Sequence, residues 1–228
     1  ISTILLFIPW LLCAQNTIKR QVSGFIKLSV YGDIVVYLTK GKAETLEIEI
    51  PDEVQPKQIE TTVENGELKI KSTYGLLKDK KKIKAYLTYK EINNFSAGGS
   101  AEINIPDSVL KTDHLVLNAY TGGTIDMTVD VRDIEADASE KAVIAVDGYV
   151  GKEIISVSLG GIYSSYDLEA EDATVKAITN GIAKIHSTMS LTATANTGGW
   201  IGYTGEPKYK FLTPKLGGKI EKIDDNEK

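Results

Sequence analysis

The chain has few of the residues that most catalytic sites, metal sites and disulfide-bonded folds require. Its 228 residues include one cysteine, Cys13, and two histidines, His114 and His186. A single cysteine cannot form an internal disulfide, so core packing must hold the fold together. Neither histidine has a cysteine or a second histidine at ligand spacing, which argues against a zinc site. We therefore expect no metal ligand and no cofactor.

Motifs for nucleotide binding and nucleophilic catalysis are missing as well. No serine stands in a G-x-S-x-G setting, and no glycine pair is followed by the Lys-Ser/Thr of a P-loop or by a predicted helix. The 26 basic and 31 acidic residues are dispersed, so the mild acidity predicts no nucleic-acid partner. No stretch has a sustained 3.6-residue apolar stripe, which excludes a helical fold. The sequence identifies no catalytic or cofactor-binding residue.

The chain begins with an uncharged apolar run, Ile1 to Cys13, that stops at the polar Gln15. This run has the length of the hydrophobic region of a secretory signal and is too short to cross a bilayer as a helix. We expect cleavage after Ala14 and export of 15–228, which one domain can fill, to the periplasm, the outer-membrane surface or the extracellular space. No methionine and no basic leader precede the run, so we expect the natural N-terminus to lie further upstream.

Two other interpretations of this segment remain open. Cys13 could be the acylated first residue of a membrane-anchored lipoprotein, although Leu12 is larger than the residue that such signals carry at that position. The run could also be an apolar strand of the fold itself.

Glycine pairs recur in the second half of the chain, and their spacing reveals a repeat. From the second pair onward the pairs start 38, 38 and 19 residues apart. The pairs are Gly98–Gly99, Gly122–Gly123, Gly160–Gly161, Gly198–Gly199 and Gly217–Gly218. A repeat this short cannot enclose a core alone, so neighbouring repeats must cover each other. We interpret the pairs as corners where the backbone turns sharply or neighbouring coils crowd together.

Steps of 19 residues also connect columns of apolar residues. One column contains Ile125, Ile144, Tyr163, Ile182, Ile201 and Ile220. A second, mostly small or apolar, contains Leu117, Ala136, Ile155, Thr174, Ala193 and Leu212. Polar residues alternate with these residues, which is typical of strands, and the columns indicate that the strands stack in register. The sequence predicts an all-β fold, a parallel β-helix or solenoid with about 19 residues per coil over 95–223.

The preceding part of the chain, 22–94, is strand-rich but lacks the period. Its clearest feature is Asn65–Gly66, the strongest hairpin signal in the chain. We predict that this part forms wider, less regular coils or a small sheet that caps one end of the solenoid and protects its edge.

Several segments in a fixed order resemble one known family. They are "VYGDIVVYLTKG", "GELKIKS", "INNFSAGGSAEI", "LNAYTGGTIDM" and "TANTGGWIGYTGEPK", and they extend over Ile26 to Tyr209. Together they are similar to the putative auto-transporter adhesin, head GIN domain family, whose members are exported proteins abundant in Bacteroidetes. The resemblance implies a β-helical extracytoplasmic domain with an adhesin role, and it carries over no catalytic residue.

Two acidic runs are the first candidate sites, because carboxylates on adjacent coils can bind Ca²⁺ or act on polysaccharides. One run contains Asp126, Asp130, Asp133, Glu135 and Asp137. The other contains Asp167, Glu169, Glu171 and Asp172, of which the first three lie on one strand face. A 19-residue step from Asp126 reaches Ala145 and then Ser164, so no acidic ladder forms there. We expect Asp130, Asp133 and Glu135 to lie in a solvated loop between coils. The second run is interpreted as a solvent-facing stripe.

Aromatic residues of the coils are the second candidate, since flat rings on a rigid sheet can stack on sugars. The residues are Tyr149, Tyr163, Tyr166, Trp200 and Tyr203. Tyr163 belongs to an apolar column and should lie in the core, whereas Trp200 should point outward. Thr192 and Thr194 are not repeated in successive coils, which excludes an ice-binding threonine array.

These observations lead to one preferred function and two alternatives. We interpret the protein as a non-catalytic exported module of the cell envelope or surface, with adhesin-like binding of a glycan or a cell-surface component. One alternative is a carbohydrate-active β-helix enzyme, a polysaccharide lyase or hydrolase, which would need carboxylates and a lysine or arginine in one groove. The other is a periplasmic envelope accessory protein.

Overall fold

The computed structural model describes residues 16–73 and 82–224, so the predicted signal segment and Cys13 lie outside the described residues. Within this part there are sixteen strands and one 3₁₀ turn, Pro56–Gln58, and no helix there is long and apolar enough to span a membrane. The strands are β1 (Asn16–Arg20), β2 (Lys27–Tyr31), β3 (Ile34–Lys40), β4 (Thr45–Ile50), β5 (Ile59–Glu64), β6 (Glu67–Ser72), β7 (Ile83–Tyr89), β8 (Asn94–Gly98), β9 (Glu102–Tyr120), β10 (Thr124–Ala138), β11 (Val143–Val157), β12 (Ile162–Ile178), β13 (Ile182–Asn196), β14 (Trp200–Thr204), β15 (Tyr209–Pro214) and β16 (Lys219–Lys222).

The regular part of the fold is a stack of long parallel strands. β9 to β13 each pair in parallel with the next strand along the chain. β14 and β15 both pair with β13, and β16 pairs with β14, so the last two coils are built from shorter strands. The predicted all-β solenoid is confirmed, with about 7 turns roughly 19 residues apart.

The inward side chains form the two predicted columns, with one correction in each. Tyr163 pairs with Ala183 instead of the predicted Ile182, and Ile155 pairs with Val175 instead of the predicted Thr174. Ala183 and Val175 are buried, whereas Ile182 is half-buried and Thr174 is exposed. An extra residue in β12, between its pairings with Ala145 and Gly148, moves the register by one position. β13 is correspondingly shorter, which restores the register in the following coil.

The glycine pairs lie in stacked two-residue turns. In each turn the two central residues have positive φ, as in Thr121 (50°) and Gly122 (74°), and the next residue donates a backbone hydrogen bond across the turn. This geometry is that of a type I′ turn, which favours glycine at its second central position. The next residue, Gly123, is crowded instead, because a Cβ there would lie 2.2 Å from the carbonyl oxygen of Ala97 in the coil below. Both roles expected of the glycine pairs are therefore present.

The N-terminal part combines coil-like and sheet-like pairing. β2 and β3 pair in parallel with β8 and β9 and thereby continue the stack of coils. β4 lies antiparallel between β7 and β1, and β5 forms an antiparallel hairpin with β6 through Asn65 and Gly66, both at positive φ. Less regular coils and an added sheet are thus both found. One continuous apolar core runs from Val22 to Tyr203 through both parts.

Candidate functional site: a lateral groove

An open groove runs along one side of the solenoid, where β9 to β12 bend. Its main part has a volume of about 740 Å³ and is lined by Lys111, Thr112, Asp113, Asp130, Val131, Arg132, Tyr149, Gly151 and Glu171. A narrower extension of about 340 Å³ shares Lys111 and Thr112 and continues to Ile26 and Tyr89 in the N-terminal part. We call the two parts together the lateral groove.

The groove exists because each corner interrupts the strand alternation. In β10, Arg132 and Asp133 are consecutive outward residues between the buried Val131 and Ile134. Gly151–Lys152 and Glu171–Asp172 repeat this break in the next two coils. A strand normally turns successive side chains to opposite faces, so two consecutive outward residues mark a bend. Stacked bends place polar side chains from four coils side by side.

Register pairing positions the central groove residues directly. Asp130 pairs with Lys111 on one side and with Tyr149 on the other. Lys111 Nζ donates to Asp130 Oδ2 at 2.7 Å, and Tyr149 Oη donates to Glu171 Oε1 at 2.6 Å. The hydrogen bond to Glu171, followed by smaller desolvation and charge effects, raises the pKa of Tyr149. Tyr149 is 39% exposed, so its ring is available to a ligand.

Arg132 adds a second cation to the groove. Its Nε donates to Asp133 Oδ2 at 2.9 Å, and this contact, with the charges of Asp133 and Asp113, raises the pKa of the guanidinium. Gly151 lies close to the backbone of the neighbouring coil, since a Cβ there would lie 3.0 Å from the carbonyl oxygen of Arg132. Exposed ion pairs of this kind contribute little to stability. The groove therefore presents hydrogen-bond donors and acceptors around an exposed ring without being part of the core.

The first acidic run divides between the groove and other surfaces. Asp130, Asp133 and Glu135 lie within β10, so the predicted loop between coils is wrong. The chain bends here without leaving the sheet, because Asp133 and Glu135 keep their pairing with β9 and β11. Asp126 pairs with Ala145, which pairs with Ser164, as the sequence step predicted. In the described part of the chain no group of three potential ligands could hold a metal ion.

The second acidic run faces solvent, as predicted. Asp167, Glu169 and Glu171 are exposed on β12 while Leu168 and Ala170 between them are buried. Glu171 enters the groove through its bond from Tyr149, and Asp167 approaches Asp147. Desolvation, with the nearby charges of Asp167 and Asp126, raises the pKa of Asp147.

The candidate aromatics do not share one patch. Tyr163 is fully buried, as predicted, but Tyr203 is also buried, at 6% exposure, because its partner Ile185 lies at an inward position. Trp200 is half-buried on the outward side, where its Nε1 donates to Glu221 Oε2 at 2.8 Å. Tyr149 alone of the five predicted aromatics lines the groove.

The remaining candidates stay apart. His114 is exposed beside Asp133, and His186 Nδ1 lies 3.0 Å from Thr204 Oγ1 in a different coil. Thr192 pairs with Thr174, but Phe211 follows it in the same column, so no threonine array forms in the described coils.

One buried carboxyl group was not among the candidates predicted from the sequence. Glu153 is fully buried in the inward column of Ile134 and Ala173, and Tyr163 Oη donates to its Oε2 at 2.9 Å while Oε1 has no hydrogen-bond partner. Burial raises the pKa of Glu153 to about 8, so the group is protonated at neutral pH. Its enclosure inside the solenoid keeps it from any ligand. A 19-residue step from Leu115 through Ile134 would have placed it inside.

The fold and the groove define the class of the protein as a β-solenoid whose outward strand positions form an open, polar lateral surface. The chain belongs to the family described as "Putative auto-transporter adhesin, head GIN domain", whose model matches residues 24–207. The family resemblance read from the sequence segments is thereby confirmed.

Solved structures of similar proteins share this fold. A putative adhesin from Bacteroides fragilis is 21% identical with a TM-score of 0.81, and the match covers 92% of this chain and 98% of that one. A putative adhesin from Parabacteroides merdae is 17% identical with a TM-score of 0.68, over 93% and 98% of the two chains. A putative lipid binding protein from Parabacteroides distasonis is 20% identical with a TM-score of 0.65, over 93% and 98%. Comparison with curated proteins gives no match.

Proposed function

We propose that the protein is a non-catalytic, exported adhesin-like module that binds a glycan of a cell surface along the lateral groove. Membership of an adhesin family supports a surface role. The observation that carries the proposal is the arrangement of Tyr149, exposed beside Glu171, Asp130 and Lys111. An aromatic face with neighbouring donors and acceptors is the chemistry that recognises a sugar ring and its hydroxyl groups.

The shape of the groove favours a chain ligand over a single sugar. Its polar residues come from β9, β10, β11 and β12. At about 4.8 Å between neighbouring strands, three steps amount to about 14 Å. The extension toward Ile26 and Tyr89 lengthens this path. An extended oligosaccharide lying across the coils would contact all of these positions together.

A glycan array followed by titration of the ligands it identifies tests this proposal. Tyr149→Ala should weaken binding by tenfold or more, since the ring and its hydroxyl are both lost. Tyr86→Ala is the matched control, because Tyr86 is 40% exposed and its hydroxyl donates to Glu49 at 3.4 Å, away from the groove. Absence of binding across host, bacterial and polysaccharide glycans, or equal affinities of the two variants, would refute the proposal.

A second candidate function is an enzyme that acts on uronate polysaccharides. The groove brings Lys111 and Arg132 together with Asp113, Asp130 and Glu171, which is the combination that such an enzyme needs. Asp130 and Glu171 already accept hydrogen bonds from Lys111 and Tyr149, which favours the binding role. Incubation with a panel of uronate polymers should release product if this candidate is correct, and Asp130→Asn should abolish the release. No product from any polymer removes the candidate.

A further inference from the structure

The last described coil, which we define as β15, β16 and the turn between them (209–222) and call the last coil, carries several exposed apolar side chains. Leu212 continues the inward column of Ala193, and the others lie outside the two inward columns. Four large apolar residues there are 39% to 81% exposed: Tyr209, Phe211, Leu212 and Leu216. Over 162–204, which spans the two preceding coils, Met189 is the one large apolar residue with comparable exposure. Exposed apolar residues are thus more closely spaced in this coil than in the two coils before it, although the coils of β9 to β11 carry others, Val109, Tyr120, Tyr149, Ile154 and Leu159.

Two of the exposed apolar residues of the last coil stand at positions that polar residues occupy in the coil below. Phe211 stands in an outward column that Thr192 occupies in the coil below. Leu216 takes the first position of a stacked turn, which Thr197 occupies in the coil below. Both positions face outward, and polar residues fill them in the neighbouring coil. In the coil of β11 the equivalent positions hold Ile154 and Leu159, which are also exposed. The last coil therefore places apolar side chains where its neighbour has polar ones.

The same coil also reverses the charge of the surface. Residues 95–207 contain 16 acidic and 6 basic residues, whereas 208–224 contain 2 acidic and 5 basic residues. Lys219 and Lys222 contact Glu221 and Glu206. Lys210 and Lys215 form no ion pair within the described residues. Cationic and apolar side chains therefore alternate along one short segment, in which Lys210 pairs with the inward Leu191 and Phe211 pairs with the outward Thr192.

Two other occupants fit this surface less well. Among the described strands β15 pairs with β13 alone, and an edge of this kind could accept a strand from a partner polypeptide. Pro214 has no N–H to donate, however, and lysine and proline at an edge are devices that oppose strand addition. A second copy joined through the same coil would bring the unpaired lysines of both molecules together. The surface of an anionic bilayer does not need to pair with the edge of β15. Its negative charges also attract the unpaired lysines.

We propose that the last coil docks on the surface of an anionic lipid bilayer. Tyr209, Phe211 and Leu216 enter the headgroup region, where aromatic and leucine side chains are favourable. Lys210 and Lys215 contact lipid phosphates, and their long alkyl chains allow the charges to reach them. This inference does not rest on the lateral groove, whose residues lie in other coils.

Vesicle co-sedimentation of the full chain tests the proposal. We expect binding to phosphatidylglycerol vesicles that weakens with salt and is absent on phosphatidylcholine vesicles. Lys210→Gln with Lys215→Gln should weaken binding roughly thirtyfold, and Phe211→Ser with Leu216→Ser should weaken it tenfold or more. Lys152→Gln with Lys176→Gln, and Ile154→Ser, replace exposed residues of other coils and should leave binding unchanged.

Hydrogen exchange on the vesicles identifies the surface that binds. Protection of 208–219 supports the proposal, whereas protection confined to 1–15 assigns binding to the apolar N-terminal segment and overturns it. Equal binding to both lipids overturns it as well. Light scattering distinguishes self-association: dimers that disappear on Phe211→Ser would identify the last coil as a contact between copies and refute the lipid proposal.

Discussion

The periodic coils and the N-terminal part build one core by different means. In the coils, identical turns and parallel pairing repeat, so each strand is held by the strands before and after it. In the N-terminal part, antiparallel pairs such as β4 with β7 supplement the parallel ones. The apolar core therefore continues into the N-terminal part, where the regular 19-residue repeat is absent. In the coils, the repeated turns and strand pairings determine the path of the backbone. Packing of buried apolar side chains is common to both parts.

Large-to-small substitutions in the two parts should have the largest effects. Ile144→Ala in the coils and Ile48→Ala in β4 each remove a fully buried side chain and should each cost about 2 to 5 kcal/mol of unfolding free energy. Because the core is continuous, we expect one unfolding transition in denaturant for both variants. Ile154→Ala, at a position 46% exposed in β11, is the control and should cost far less. Two separate transitions would show that the parts fold independently.

Backbone crowding should next distinguish a crowded glycine of the coils from an uncrowded glycine of the N-terminal part. Gly148 has φ of 111°, and a Cβ there would lie 2.1 Å from the carbonyl oxygen of Val129 in the coil below. Gly148→Ala should destabilise the protein by about 2 to 4 kcal/mol, from contact and conformation together. Gly24→Ala in the N-terminal part has φ of 72° but open space, so it should cost about 1 kcal/mol. Equal midpoint shifts in thermal unfolding would contradict the crowding argument.

The pH dependence of stability should come from the coils, where Glu153 is the one buried acidic side chain of the described core. Its pKa is raised from 4.5 to about 8 by burial, so the folded state retains a proton that the unfolded state loses. The stabilising effect of this proton is complete below pH 4.5 and is lost as pH rises through 8.

Substitution of this carboxyl group tests the linkage. Glu153→Gln should reduce the decline in stability between pH 4.5 and about pH 8, and above pH 8 it should be about 1 to 2 kcal/mol more stable than the parent. Glu135→Gln, an exposed change on β10, is the control. If denaturant unfolding shows the same pH slope for Glu153→Gln and the parent, the assigned proton is wrong.

The smallest expected changes in stability come from glycine substitutions in turns of the two parts. Lys141 has φ of 63° at a turn position that glycine occupies in neighbouring coils, so Lys141→Gly should be neutral or stabilise by up to about 1 kcal/mol. In the N-terminal hairpin, Asn65→Gly should change little, because asparagine tolerates this conformation. Thermal unfolding of both variants gives the comparison. A clear loss of stability in Lys141→Gly would mean that the lysine side chain has a packing role.

The 19-residue period was sufficient to predict the solenoid, its inward columns and the role of the glycine pairs. It failed at Ile182 and Thr174 because β12 contains an extra residue, which is seen in the pairing with β11 and in the consecutive outward residues Tyr166 and Asp167. A constant step cannot detect a change of register that the next coil reverses. The sequence of the N-terminal part has no period, so its combination of parallel and antiparallel pairing could not be predicted in this way.

The lateral groove was less predictable than the fold. Tyr149 and the acidic runs were candidates, but their contact depends on bends that place Asp130, Tyr149 and Glu171 together from three coils. Lys111 and Arg132 gave no signal, since isolated basic residues are common on strands. Glu153 is charged and the next residue, Ile154, is apolar, so the residue types locally suggest Ile154 inside and Glu153 outside, whereas the reverse is observed.

Hydrogen exchange with a bound glycan tests most directly whether the repeating coils form one binding surface. If the coils form one binding surface, the glycan should slow amide hydrogen exchange at 110–113, 130–132, 149–151 and 169–171 together. These segments come from four consecutive coils, and exchange in β4 and β5 should change little. Protection confined to a single coil, or centred on the N-terminal strands, would contradict it.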